Sequence, residues 1–160
     1  MKEVRLETVL EVYNDISELP ESIQALMAKA AEARDKAYAP YSKFNVGAAI
    51  RLDNNEIVTG SNQENASYPS GLCAERTAVY YANAKFPKAK MIEMALTASS
   101  QKKLTAEPIP PCGACRQAIA EYENKQNHPI EIYFMGAEGK VVKSPSLANL
   151  LPLLFESSVL

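Results

Sequence analysis

All three cysteines of this 160-residue chain lie in two short segments, Leu72-Cys73-Ala74-Glu75-Arg76 and Pro111-Cys112-Gly113-Ala114-Cys115-Arg116. Each segment opens a stretch that reads as a helix. Leu72–Ala84 is rich in alanine, and Pro108–Pro111 lead into a second helix running from Cys112 to about Glu123. Helix N-termini carry unpaired N–H groups and partial positive charge, which stabilise a thiolate. Cys112 and Cys115 stand three apart, so they project from one face of the first turn. A fold that uses this pattern has to bring two helix starts together around three sulfurs.

Three thiolates suit zinc, and the count matters. Structural zinc is normally closed by four protein ligands, whereas catalytic zinc keeps one position for water. The single histidine, His128, sits in Asn127-His128-Pro129, which reads as a surface loop and not as a fourth ligand. Zinc can lower the pKa of a bound water from about 15.7 to about 7. Three thiolates give the centre a negative charge that opposes this effect. The two helix N-termini and Arg76 are the candidates for balancing it. Glu75, two residues past Cys73, is close to the metal without being needed as a ligand. A carboxylate there can take a proton from water and deliver it to a substrate. Spacing alone leaves two other readings open: a closed structural zinc site, and a dithiol redox pair that gives Cys73 no role. An odd cysteine count without a secretion signal argues against a disulfide framework.

The rest of the chain limits the partners. Hydrophobic residues make up 47% and charged residues 22%, the balance of an ordinary globular protein, and the length suits one domain spanning 1–160. A net charge of −2 leaves no basic footprint for nucleic acid. No run is long enough to span a bilayer, and MKEVRLETVL lacks the apolar core of a signal peptide. The expectation is a cytoplasmic protein with a small-molecule ligand, no nucleic acid and no membrane.

Periodicity supplies the elements. Val4, Leu6, Thr8, Leu10 and Val12 alternate with Glu3, Arg5, Glu7, Val9 and Glu11, which predicts a strand within an N-terminal extension, 1–19. Asn14–Leu19 reads as a turn and cap. Ser22–Tyr38 reads as a helix with Ile23, Leu26, Met27, Ala30 and Ala33 on its apolar face. Phe44–Leu52 and Glu56–Gly60 form a hairpin about Asp53-Asn54-Asn55. Further strands are expected at Met91–Ala98, Ile130–Met135 and Lys140–Lys143, and a short helix at Ser146–Leu151. Alternating strands and helices imply a layered α/β domain with a mixed sheet. Leu147, Leu150, Leu151, Leu153, Leu154 and Phe155 crowd the C-terminus, and an exposed patch of that kind is expected to meet another subunit.

The motif Cys73-Ala74-Glu75 with Pro111-Cys112-x-x-Cys115 resembles the zinc-dependent nucleoside and nucleotide deaminases. Cysteine at the first ligand position is similar to the small homotetrameric cytidine deaminases. So are Ala39-Pro40-Tyr41-Ser42-Lys43-Phe44-Asn45-Val46-Gly47-Ala48-Ala49 and Asn62-Gln63-Glu64-Asn65-Ala66-Ser67-Tyr68. The resemblance runs from about Ala33 to Phe155. It implies a three-layer α/β/α fold with a mixed sheet of about five strands, to which residues 1–19 can add another. It implies one zinc ion per subunit on Cys73, Cys112 and Cys115, and a tetramer with shared active sites.

The resemblance also implies roles for individual residues. Phe44 packs on the pyrimidine, while Asn62 and Glu64 bind the ribose 3′-hydroxyl. Glu75 protonates N3 as water adds at C4, and it helps expel ammonia past the backbone near Pro111; Ala74 also lies against the substrate. Ala66, Tyr68 and Phe155 serve a neighbouring subunit's site. The implied reaction is hydrolysis of cytidine and deoxycytidine to uridine and deoxyuridine, as in pyrimidine salvage. Residue type alone allows plainer roles: core packing for Phe44 and loop capping for Asn62 and Glu64. Two other functions fit the same motifs, namely deamination of a related cytosine nucleoside such as an antibiotic, and a non-catalytic zinc protein used in assembly. The chain departs from the family pattern in its N-terminal extension, in a longer spacer between Glu75 and Cys112, and in Leu153-Leu154 where small residues are expected.

Overall fold

The computed structural model describes residues 1–156. Six strands form one sheet: β1 (Glu11–Tyr13), β2 (Phe44–Leu52), β3 (Ile57–Ser61), β4 (Met91–Ser100), β5 (Glu131–Met135) and β6 (Val141–Ser144). Their spatial order is β1-β6-β5-β4-β2-β3. Only β4 and β5 run parallel, and every other neighbouring pair is antiparallel. The single parallel pair is the one whose connection contains a helix, α3 (Gly113–Gln126), as a parallel crossover requires.

Alternation along the strands divides the core in two. Ala49, Ala95, Tyr133, Met135 and Val141 point to one face and pack against Ile23, Leu26, Met27 and Ala30 of α1 (Glu21–Arg34). Ile50, Leu96, Ile132 and Phe134 point to the other, against Ala78 and Val79 of α2 (Ala74–Lys85) and Ile119 of α3. The architecture is therefore α/β/α in three layers, with the five expected strands and one added at the N-terminal edge.

The apolar face of α1 is the one its spacing predicts: Ile23, Leu26, Met27, Ala30 and Ala33 are all buried. The helix ends at Arg34, four residues short of Tyr38. Pro40 disfavours helical backbone just before it. Tyr38 instead joins the neighbouring loop, donating its N–H to the Asn62 carbonyl and accepting at its own carbonyl from Glu64 N–H. In the β2–β3 turn, Asn55 takes a left-handed φ of 66°, which asparagine tolerates.

Two sequence expectations are corrected. The strand over Val4–Val12 is realised only at Glu11–Tyr13. Its partner β6 ends at Ser144, and Pro145 has no N–H with which to continue the ladder. Upstream, the Asn149 side chain takes the place of a strand. Its Oδ1 accepts from Val9 N–H at 3.4 Å and its Nδ2 donates to the Val9 carbonyl at 3.0 Å. The C-terminal apolar residues are also not one outward patch. Leu147 and Leu150 are buried in this chain's own core and Leu154 packs against it, while Leu153 and Phe155 are exposed. The short C-terminal helix is a single 3₁₀ turn, Ala148–Leu150.

Glu123 organises this region. Its carboxylate is buried in α3 and accepts backbone N–H groups from Ile130 (2.8 Å), Leu147 (2.7 Å) and Ala148 (3.0 Å). One charged group thus fixes the start of β5 and the approach to the C-terminal turn, with hydrogen bonds about twice as strong as neutral ones. Among the described residues, no helix is long and apolar enough to cross a membrane.

Candidate metal centre and adjoining cavity

Cys73 is the N-cap of α2 and Cys112 the N-cap of α3, and neither uses its side chain to cap the helix. Both sulfurs are therefore free to face a common point. Cys115 lies one turn into α3, buried, so the three Sγ atoms come within 4.8 Å of one another. Cys112 and Cys115 are 3.5 Å apart. A tetrahedral zinc with bonds of about 2.3 Å needs sulfur separations of about 3.8 Å, so the cluster is already close to the required spacing. Soft sulfur donors of this kind select zinc over magnesium or calcium. Cys112 is exposed, Cys73 half-buried and Cys115 buried, which leaves the cluster accessible from the Cys112 side. His128 is not a member; its Nδ1 lies 2.7 Å from the Pro129 carbonyl. The residues present fit one zinc ion per chain.

The electrostatics match a thiolate centre. The Cys73 thiol is pushed down to about 5, chiefly because the Cys115 thiol donates to it, with burial opposing and Arg76 assisting. Arg76 Nη2 lies 3.7 Å from Cys73 Sγ. The same pairing raises Cys115 well above the usual thiol range. Glu75, one residue into α2, is 6% exposed. Burial raises its carboxyl pKa, as does the charge on Cys73, while a hydrogen bond with Cys115 pulls the other way. The carboxyl thus stands beside Cys73 and Cys115, in a spot largely closed to water and outside the lining of the adjoining cavity.

Beside Cys73 and Arg76 a cavity of about 420 Å³ opens, lined among others by Tyr41, Ser42, Asn62, Glu64 and Tyr68. Its polar groups are held in place by backbone. Glu64 Oε2 accepts from Tyr41 N–H (2.9 Å) and Ser42 N–H (3.2 Å). The Ser42 hydroxyl and these amides keep the Glu64 carboxyl below its ordinary pKa. Asn62 bridges two backbone groups of β2: Nδ2 donates to the Phe44 carbonyl at 2.9 Å, and Oδ1 accepts from Val46 N–H at 2.8 Å.

The site thus gathers Cys73, Cys112, Cys115, Glu75 and Arg76 at the sulfurs, and Asn62, Glu64 and Tyr68 at the cavity. Phe44, Ala66, Ala74, Pro111 and Phe155 do not line that cavity. Phe44 is half-buried at the start of β2, Ala74 is fully buried beneath Cys73, and Pro111 is buried before Cys112. Ala66, Tyr68 and Phe155 are exposed. Sequence reading assigned no role to Tyr41, Ser42 or Arg116. Arg116 donates to the carbonyls of Pro111 (2.8 Å) and Leu150 (2.9 Å), tying the metal loop to the C-terminal segment. Residues 41, 42 and 116 lie within family-like segments, but Tyr41 and Ser42 act on Glu64 through their own backbone N–H groups and Arg116 acts on backbone carbonyls, and backbone carries no sequence signal.

Comparison with known proteins agrees with this geometry. Residues 20–128 match the family described as "Cytidine and deoxycytidylate deaminase zinc-binding region". A cytidine deaminase of Sporosarcina psychrophila is 38% identical over 133 residues, covering 83% of this chain and 90% of that protein. One from Halalkalibacterium halodurans is 43% identical over 98 residues, covering 61% of this chain and 70% of that protein. The crystal structure of cytidine deaminase from Burkholderia pseudomallei superposes with a TM-score of 0.71 at 36% identity, covering 86% of this chain and all of that one. With a zinc-fitting trio of cysteines on two helix starts, and a matched region that includes them all, the chain belongs to the cytidine and deoxycytidylate deaminase family.

Proposed function

We propose that this chain deaminates cytidine and deoxycytidine by hydrolysis, giving uridine and deoxyuridine with release of ammonia. The observation that carries the reading is the buried Glu75 carboxyl interacting with Cys73 and Cys115 of a three-sulfur cluster, with Cys73 itself lining a polar cavity. Cys73, Cys112 and Cys115 would hold one zinc ion, which supplies the Lewis acidity that activates a water molecule. Glu75 takes one proton of the water and delivers it to N3, where the product keeps it, and then carries the second proton, from the oxygen added at C4, to the departing amine. Its burial keeps bulk water from competing for those protons. Glu64, fixed by the Tyr41 and Ser42 amides, accepts from the ribose 3′-hydroxyl. Asn62 keeps one N–H and one lone pair beyond its two backbone bonds, enough to take part. Arg76 balances the negative sulfur cluster.

The cavity volume suits a nucleoside and the net charge of −2 gives no purchase for a polynucleotide. Phe44 packs on the pyrimidine, Pro111 and Ala74 contribute backbone, and Ala66, Tyr68 and Phe155 complete a neighbouring subunit's site in a homotetramer. The exposure of Ala66 and Phe155 supports that sharing, whereas Tyr68 also lines this chain's own cavity. The protein is read as cytoplasmic. The test is a cytidine-to-uridine assay with metal analysis on the same sample. Wild type is expected to turn over with one zinc per chain. Glu75→Gln should keep the zinc and lose at least about 10²–10⁴ in kcat. A Glu75→Gln enzyme with undiminished kcat rules the mechanism out.

A further inference from the structure

The N-terminal strip lies outside the matched family region, which begins at residue 20. It is amphipathic, with one face made of Val4, Leu6, Thr8, Leu10 and Val12 and the other of Glu3, Arg5, Glu7, Val9 and Glu11. The apolar face is largely uncovered, Val4 being 73% exposed, Leu6 55%, Val12 60% and Leu10 39%, while the Thr8 hydroxyl donates to the Asn149 carbonyl. It borders a groove of about 470 Å³ lined by Leu10, Pro108, Pro110, Phe134, Val142 and Leu150. β1 is the edge strand of the sheet, with β6 on one side only.

The backbone orientation shows which edge is free. Val9 directs both its N–H and its C=O to Asn149. In an extended chain successive residues point these groups to opposite edges. A strip extended from that anchor would turn the N–H and C=O groups of Leu6, Thr8 and Leu10 away from the sheet, toward an added strand.

We infer that this strip pairs antiparallel with the same strip of a second copy of the chain, about a twofold axis at Thr8. That register puts Val4 opposite Val12 and Leu6 opposite Leu10, so each apolar residue of the exposed face meets another. It puts Arg5 opposite Glu11 on the other face, twice by symmetry. Arg5 makes no ion pair among the described residues. Glu11 accepts from the Tyr13 hydroxyl at 2.7 Å, but its one ion-pair contact among the described residues is Lys143 at 3.8 Å, and Lys143 sits closer to Glu131 at 3.1 Å. Neighbouring registers are worse. An axis at Arg5 stacks Arg5 on itself, and one at Glu7 sets Glu7 on Glu7 and Glu3 on Glu11. An axis at Leu6 leaves Val4 opposite Thr8 and Leu10 opposite Lys2. Pairing about a twofold also closes the exposed edge without propagating a fibre. This inference does not depend on the deaminase reading.

The test is the mass of the assembly by light scattering at matched concentrations, using the full chain. Leu6→Asp, at an exposed position, is expected to halve the wild-type mass while leaving the fold and its zinc content intact. Arg5→Glu and Glu11→Arg should each raise the dissociation constant about tenfold or more, because each turns two attractive cross-strand pairs into repulsive ones. The double variant Arg5→Glu/Glu11→Arg should restore the wild-type mass. An unchanged mass in Leu6→Asp overturns the pairing. So does failure of the double variant to recover when both single variants dissociate.

Discussion

Asn62 stands at the cavity, yet its amide already bridges the Phe44 carbonyl and the Val46 N–H. The family-like role and the plainer capping role are therefore both present in one side chain. Removing it leaves two half-buried backbone groups without partners, at about 1–3 kcal/mol. Asn62→Ala is accordingly expected to lower the melting temperature by several degrees and to raise KM for cytidine, because Phe44 is displaced along with the strand. Asn62→Asp is expected to behave as badly, since it swaps a donor for an anion facing the Phe44 carbonyl. Thermal denaturation with steady-state kinetics on both variants checks this. An Asn62→Asp protein as stable as wild type shows that the bridge is dispensable. At this scale the sequence was legible where chemistry depends on residue type. The three cysteines, Glu75 and Arg76 come together as their motifs imply. It was not legible where a side chain serves distant backbone. Glu123 looks like any helix carboxylate until Leu147 and Ala148 fold back onto it.

At the level of elements, the site depends on where the start of α2 sits relative to the hairpin. Gly60 on β3 lets the helix approach that closely. A Cβ there would stand 2.6 Å from the Ala74 carbonyl oxygen and 2.7 Å from Ala78 N, and both are backbone atoms that cannot swing aside. Gly60→Ala must push α2, carrying Cys73 and Glu75, off the sheet. Overpacking of this kind costs about 1–3 kcal/mol. The expected result is a lower melting temperature together with weaker zinc retention against a chelator. Gly113, in the first turn of α3, is the control: a Cβ there meets nothing within 4 Å. Gly113→Ala should be neutral or stabilise by about 0.4–1 kcal/mol, through reduced freedom of the unfolded chain. Equal stability of Gly60→Ala and wild type refutes the close-approach argument. Element type and apolar faces were readable because helices and half-buried strands imprint their periods on the sequence. The ends were less so. α1 stops early because Tyr38 finds partners across a loop, and β1 is short because Pro145 ends its neighbour.

For the whole molecule, α2 and α3 lie in one layer on the sheet and begin at a common point, and the cysteines at that point belong to elements far apart in the chain. Zinc bound there ties α2 and α3 together, so it binds the folded state and not the unfolded one. Linkage then makes the metal a stabiliser: at a thousandfold excess over Kd it contributes about 4 kcal/mol. For a chain of this size that corresponds to a melting shift of about 10 °C. Chelation is therefore expected to lower the melting temperature by about that amount, to abolish deamination, and to expose three titratable thiols per chain, matching the three free cysteines. Re-addition of zinc should restore all three readouts together. The coupling is what matters. A chelated protein that loses activity but melts unchanged would mean that the ion sits on preformed sulfurs without bracing the helices. The close spacing of the sulfurs would then be a property of the core alone, set by Cys115 packed among the buried residues of α3.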